Sequence, residues 1–127
     1  MKIGFDLDGT LDRPAVRDLA LELLASRNEI HVISGSFTEA GDWQDPTAKR
    51  EKLVRLGFDL SDPKLIVTVL DALPQEKFDR EYRLVDLGLR KGAYIEKNGI
   101  EIMFDDSEVY CKTMPNMCGA QIVQVLR

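Results

Sequence analysis

Five apolar runs of strand length recur along the chain: Lys2–Leu7, Glu29–Ser34, Lys64–Leu70, Ile100–Phe104 and Gln121–Leu126. The stretches between them carry helical signals. Pro14 opens a segment, Ala15–Ser26, with Val16, Leu19, Ala20, Leu23 and Leu24 at helical spacing. Thr47–Leu56 sets Leu53, Val54 and Leu56 against a charged side and stops at Gly57. Lys91–Asn98 reads as a short helix opened by Lys91, and Ser107–Lys112 as one or two turns broken by Pro115. The span 71–89 is the least regular: Gln75–Tyr82 suits a short helix, and Arg83–Leu87 reads equally well as extended. Strands that alternate with helices are joined most economically by right-handed crossovers. The expected fold is therefore α/β, a three-layer Rossmann-like arrangement around a mostly parallel sheet of about five strands.

With 127 residues, a single domain spanning 1–127 is expected. Lys and Arg number 17 against 22 Asp and Glu, a net charge of -5, which argues against general duplex-DNA binding. No apolar run approaches the ~20 residues that span a bilayer. Met1-Lys2 leads into Ile3-Gly4-Phe5 without the apolar stretch of a signal peptide, so the expected location is the cytoplasm, with Cys111 and Cys118 reduced. The two cysteines and the lone His31 are too dispersed for a zinc site.

Ligands of parallel α/β sheets gather at the carboxyl ends of the strands, and the chemically active residues of this sequence fall there. The first strand runs into Asp6-Leu7-Asp8-Gly9-Thr10, the second into Ser34-Gly35, and the fourth into Asp105-Asp106, with Lys91 just before it. Carboxylates brought together repel unless a cation joins them, and an oxygen-only set favours a hard ion such as Mg²⁺. Asp6, the Asp8 carbonyl and one of Asp105 and Asp106 would meet that need. A carboxylate can also act as a nucleophile towards phosphorus, while a neighbour moves the proton. Lys91, Ser34 and the backbone N–H groups of Leu7 and Gly35 are candidates for binding the phosphoryl oxygens, with Thr10 orienting the turn and Asp8. Arg90 and Lys97 are alternative cations in the same segment.

Phe5-Asp6-Leu7-Asp8-Gly9-Thr10-Leu11 resembles the first motif, DxDGT, of the haloacid dehalogenase superfamily of phosphohydrolases. Ser34, Lys91 and Asp105-Asp106 are similar to its second, third and fourth motifs, in the family's order. The resemblance implies a Mg²⁺-dependent phosphomonoester hydrolase, with Asp6 as nucleophile and Asp8 as general acid and base. Ser34 and Lys91 would bind phosphate, and Asp105 and Asp106 would complete the metal site. The alternatives are a phospho-acceptor switch, whose acidic residues and lysine follow a different order in the chain, and a catalytically silent binding domain of the same fold.

The sequence leaves no room for a large cap domain over the site. An open site suits a phosphorylated small molecule or a bulkier phosphorylated substrate, and a neighbour in an oligomer could act as a lid. The loop Ser36–Asp45, with Phe37 and Trp43, is the local candidate for substrate contact, although Trp43 packed beneath its own loop is the simpler expectation. Asp12 is expected near a helix N-terminus rather than on a metal, Glu108 at a solvated helix start, His31 in a structural role, and Met103, Met114 and Met117 in the core.

Overall fold

The computed structural model describes residues 1–36 and 43–126. Five strands, β1 (Lys2–Phe5), β2 (Glu29–Gly35), β3 (Leu65–Leu70), β4 (Ile102–Asp105) and β5 (Gln121–Gln124), alternate with α1 (Pro14–Ala25), α2 (Pro46–Arg55), α3 (Arg80–Lys97) and α4 (Glu108–Thr113). The strands form one sheet in the order β3-β2-β1-β4-β5. All four pairings are parallel, with Phe5 opposite Val32 on one side and Phe104 on the other.

Strand alternation builds the two faces. Ile3, Phe5, Ile30 and Val32 pack with Ala20 and Leu24 of α1 and Leu53 of α2. Ile33 and Met103 point to the opposite face, against Leu84, Leu87 and Ile95 of α3 and Tyr110 of α4. The expected three layers are thus present, with an all-parallel sheet and no inserted cap domain among the described residues. None of the described helices is long and apolar enough to cross a membrane.

This strand order sends the chain from β1 towards β2 on one side and brings β4 in on the other. A crevice opens at such a switch point, outside the carboxyl ends of the adjacent strands. β1 and β4 meet there, so the residues after Phe5 and at Asp105 are neighbours in space although far apart along the chain.

α3 departs from the expectation read from the sequence. Arg83–Leu87 is not extended, and Lys91 does not open a short helix: both lie within one helix, Arg80–Lys97, capped by Asp79, whose side chain accepts from the Tyr82 N–H. Gly88 and Gly92 obscure that helix in the sequence, because glycine interrupts the apolar pattern and has low helix propensity. Here they permit close packing. A Cβ on Gly88 would collide with the Thr113 hydroxyl, and one on Gly92 would come within 2.5 Å of the Met114 carbonyl oxygen. Met117, expected in the core, is 45% exposed, whereas Met103 and Met114 are fully buried.

Candidate active site

β1 delivers Asp6 to the crevice, its backbone N–H bonded to the Phe104 carbonyl of β4 at 2.9 Å. The chain then turns through Leu7–Leu11. Gly9 has φ of +80°, and a Cβ there would strike the Asp106 carboxylate. Glycine is required on both counts: it adopts the left-handed conformation, and it lets the acidic group approach the turn. The buried Thr10 hydroxyl donates to Asp106 Oδ1 at 3.2 Å, so Thr10 orients Asp106 rather than Asp8. Asp12 does not cap α1; its carboxylate accepts from the Gly9 N–H at 3.2 Å and closes the same turn.

At the end of β4, Asp105 is fully buried and accepts from the Ser107 N–H at 2.9 Å. Asp6, Asp105 and Asp106 each offer a carboxylate oxygen within 4.8 Å of the others. Lys91, fully buried within α3, donates to Asp6 Oδ1 at 3.1 Å and to Asp105 Oδ2 at 3.0 Å, with the Tyr110 ring 4.3 Å from its ammonium. Arg90 is bonded to Asp86 on the same helix at 2.7 Å, which leaves Lys91 as the cation of this segment that reaches the crevice.

Asp6 and Asp105, both buried, share the ammonium of Lys91, and the buried Asp106 lies beside them. Burial and the proximity of Asp105 push the Asp6 carboxyl well above its ordinary 3.8 despite Lys91. Burial likewise raises Asp105. For Lys91 burial disfavours the charge, but Asp105 and Asp6 outweigh it and hold the ammonium protonated. A buried donor set made of carboxylate oxygens alone could hold a metal ion.

The Asp8 carboxylate lies outside this group. It is bonded to Lys49 and Lys52, each at 2.8 Å. Burial would raise the Asp8 carboxyl, yet the two lysines prevail and hold it below 3.8. Lys49 also donates to Ser34 Oγ at 2.7 Å and is 4% exposed, so one ammonium joins the hydroxyl after β2 to the carboxylate after β1. The sequence reading missed Lys49, because charged residues of a helix are ordinarily solvated. A signal was present: Lys49 precedes the buried Leu53 by one helical turn and so shares its core-facing side.

Gly35 follows Ser34 at the end of β2, where Leu87 packs against its Cα so closely that a Cβ would collide. The Leu7 side chain is in the core, so any contact it makes with substrate would be through its backbone. Trp43 is not packed under its loop but 67% exposed, and Phe37 lies outside the described residues. His31 is structural: one ring nitrogen is 3.0 Å from the Tyr94 hydroxyl and the other 3.2 Å from Glu29. Glu108 opens α4 and pairs with Lys112 at 2.8 Å. Both cysteines are free thiols. No family model matches this chain, and no curated protein matches it either.

Proposed function

We propose that the chain is a phosphomonoester hydrolase that works through a phosphorylated Asp6, with Mg²⁺ as its resident ion and phosphorylated metabolites or larger phosphorylated molecules of the cytoplasm as substrates. The observation that carries this reading is the meeting of Asp6, Asp105 and Asp106 within 4.8 Å at the β1–β4 crevice, with Lys91 on Asp6. The resemblance of Asp6–Leu11, Ser34, Lys91 and Asp105-Asp106 to the haloacid dehalogenase superfamily supports the same reading.

Asp6, Asp105 and Asp106 would hold the ion, which when bound neutralises charge on the phosphoryl oxygens. The other steps belong to the chain. Lys91 and Lys49, with the Ser34 hydroxyl, hold the remaining phosphoryl oxygens. One Asp6 oxygen attacks phosphorus and forms an acyl phosphate as the ester P–O bond breaks. With Lys49 turned from Asp8 to the phosphoryl oxygens, the Asp8 carboxylate takes up a proton from solvent as substrate binds and gives it to the departing oxygen. The resulting Asp8 carboxylate then takes a proton from water, whose oxygen attacks phosphorus. The Asp6–phosphorus bond breaks, and inorganic phosphate and the free carboxylate remain. The paired lysines on Asp8 favour its carboxylate form, which suits the second half of this cycle.

The test is turnover of an aryl phosphate with Mg²⁺, with EDTA, and with Asp6→Asn. Hydrolysis that needs both the ion and Asp6 is the expected result. Activity that survives chelation and the substitution overturns the proposal, as does a phosphoprotein that keeps its phosphate for hours.

A further inference from the structure

Two hollows of about 370 Å³ each flank the crevice. One is lined by Arg80, Leu84, Asp106 and Glu108. The other is lined by Asp8, Trp43, Lys49, Lys52 and Arg55, with the Asp45 carboxylate turned to the Thr47 N–H at 2.8 Å. The chemistry decides between them. In the hydrolytic cycle, the group that protonates the leaving oxygen must lie on the leaving-group side. Asp8 belongs to the second hollow, so the leaving group occupies that one.

Its walls are specific in character. Lys49, Lys52 and Arg55 recur every three residues along one side of α2. Lys49 and Lys52 are engaged with Asp8, and Lys52 also with Asp12 at 2.9 Å. Arg55 is exposed and has no partner among the described residues. Trp43, the one tryptophan of the chain, stands 67% exposed at the same hollow. An exposed indole offers a stacking face to a planar ring, and a free guanidinium offers a two-pronged site to a phosphate.

We infer that this hollow takes a leaving group with a planar base and a second phosphate: the substrate is a phosphomonoester of a nucleotide that carries a further phosphate, with its base on Trp43 and that second phosphate on Arg55. The inference rests on the hydrolase reading for its orientation. A nucleoside bisphosphate and the phosphorylated end of an oligonucleotide share this chemistry.

Trp43 supplies its own probe. Adenosine bisphosphate, ribose bisphosphate and a short phosphorylated oligonucleotide are titrated against the wild-type chain and Asp6→Asn with Mg²⁺, with tryptophan fluorescence as the readout. Saturable quenching by the adenosine compound, with about tenfold weaker binding of the ribose compound, is expected. Oligonucleotide binding tighter than that of the bisphosphate assigns the polynucleotide end, and equal binding the mononucleotide. In turnover, the preference for adenosine bisphosphate over aryl phosphate falls about tenfold in both Trp43→Ala and Arg55→Ala, and Arg55→Lys restores part of it. Equal binding of the base-free compound, or a preference unchanged in both alanine variants, overturns the inference. The two readings fail separately. Quenching without turnover of any phosphoester, aryl phosphate included, sinks the hydrolase and keeps the nucleotide site. Aryl phosphate turnover without quenching does the reverse.

Discussion

The Lys91 ammonium donates to the Asp6 carboxylate at 3.1 Å across 85 positions of sequence, both groups buried at the end of the central strand. In the proposed mechanism, this cation would hold the Asp6 carboxylate ready and add charge for the phosphoryl group. Removing one partner of a buried pair strands the other, at about 3–5 kcal/mol. Lys91→Met should therefore lower the unfolding free energy by about 3–5 kcal/mol in urea titrations with EDTA, and Mg²⁺ should restore part of that loss.

Asp6→Asn acts in the opposite direction on the metal-free fold. It removes the charge of one of the two buried carboxylates bonded to Lys91, while Asp105 keeps its bond to that ammonium at 3.0 Å. The variant should melt at a higher temperature than wild type in EDTA and lose aryl phosphate turnover entirely. A lower melting temperature would refute the idea that crowded negative charge strains this cluster.

The same crowding sets a pH dependence. Asp6 and Asp105 titrate above 3.8 in the folded chain, so the native state binds more protons than the unfolded one between that value and the raised pKa values. Their contribution to stability is thus fully present at the acid end and is lost as pH rises through those raised values. Asp8 has the opposite sign: its contribution is present above 3.8 and is lost as pH falls through its lowered value. In EDTA, the melting temperature followed by circular dichroism should fall as pH rises above 3.8 through the raised values of Asp6 and Asp105, and saturating Mg²⁺ should flatten that slope.

Lys49 clasps Ser34 and Asp8, at 2.7 and 2.8 Å. Lys49→Met should reduce kcat/KM about a hundredfold, the scale for loss of one donor to a developing phosphoryl charge. It should also move the acidic limb of the pH–rate profile upward, because Asp8 keeps only Lys52. Lys52→Met shifts that limb in the same direction but leaves the Ser34 contact intact, so its kcat/KM should fall less.

Gly88 lets α3 lie against α4. Alanine is ordinarily better than glycine in a helix by about 1 kcal/mol. At this position the new methyl group collides with the Thr113 hydroxyl, and overpacking of that kind costs about 1–3 kcal/mol. Gly88→Ala should be destabilising in urea titrations, and Thr113→Ala in the same chain should recover most of the loss, a coupling that a double-mutant cycle measures.

The acidic residues, the turn and the serine were legible in sequence because each follows an apolar strand directly: Asp6 after Phe5, Ser34 after Ile33, Asp105 after Phe104. Position at a strand end is local information, and the parallel topology carries all of these residues to one edge. Lys91 was legible as a cation but not in its setting, because Gly88 and Gly92 break the apolar pattern of α3 for a packing reason that only α4 and the turn after it supply. Lys49 was legible only as a position, one turn before Leu53 on the core-facing side of its helix; the groups its ammonium meets there, Ser34 and Asp8, come from distant strand ends that local spacing does not reveal.

Alternation of strand and helix, the acidic turn after the first strand and the absence of room for a cap were determined by the sequence alone, through propensities and spacings that act within a few residues. Which carboxylates share a cluster, and which lysine serves which of them, was decided by the tertiary structure. Asp6 and Asp8 are two positions apart, yet the turn at Gly9 sends Asp6 to Asp105, Asp106 and Lys91 and leaves Asp8 to Lys49 and Lys52. Side-chain charges pair by distance in space, and the order β3-β2-β1-β4-β5 sets those distances.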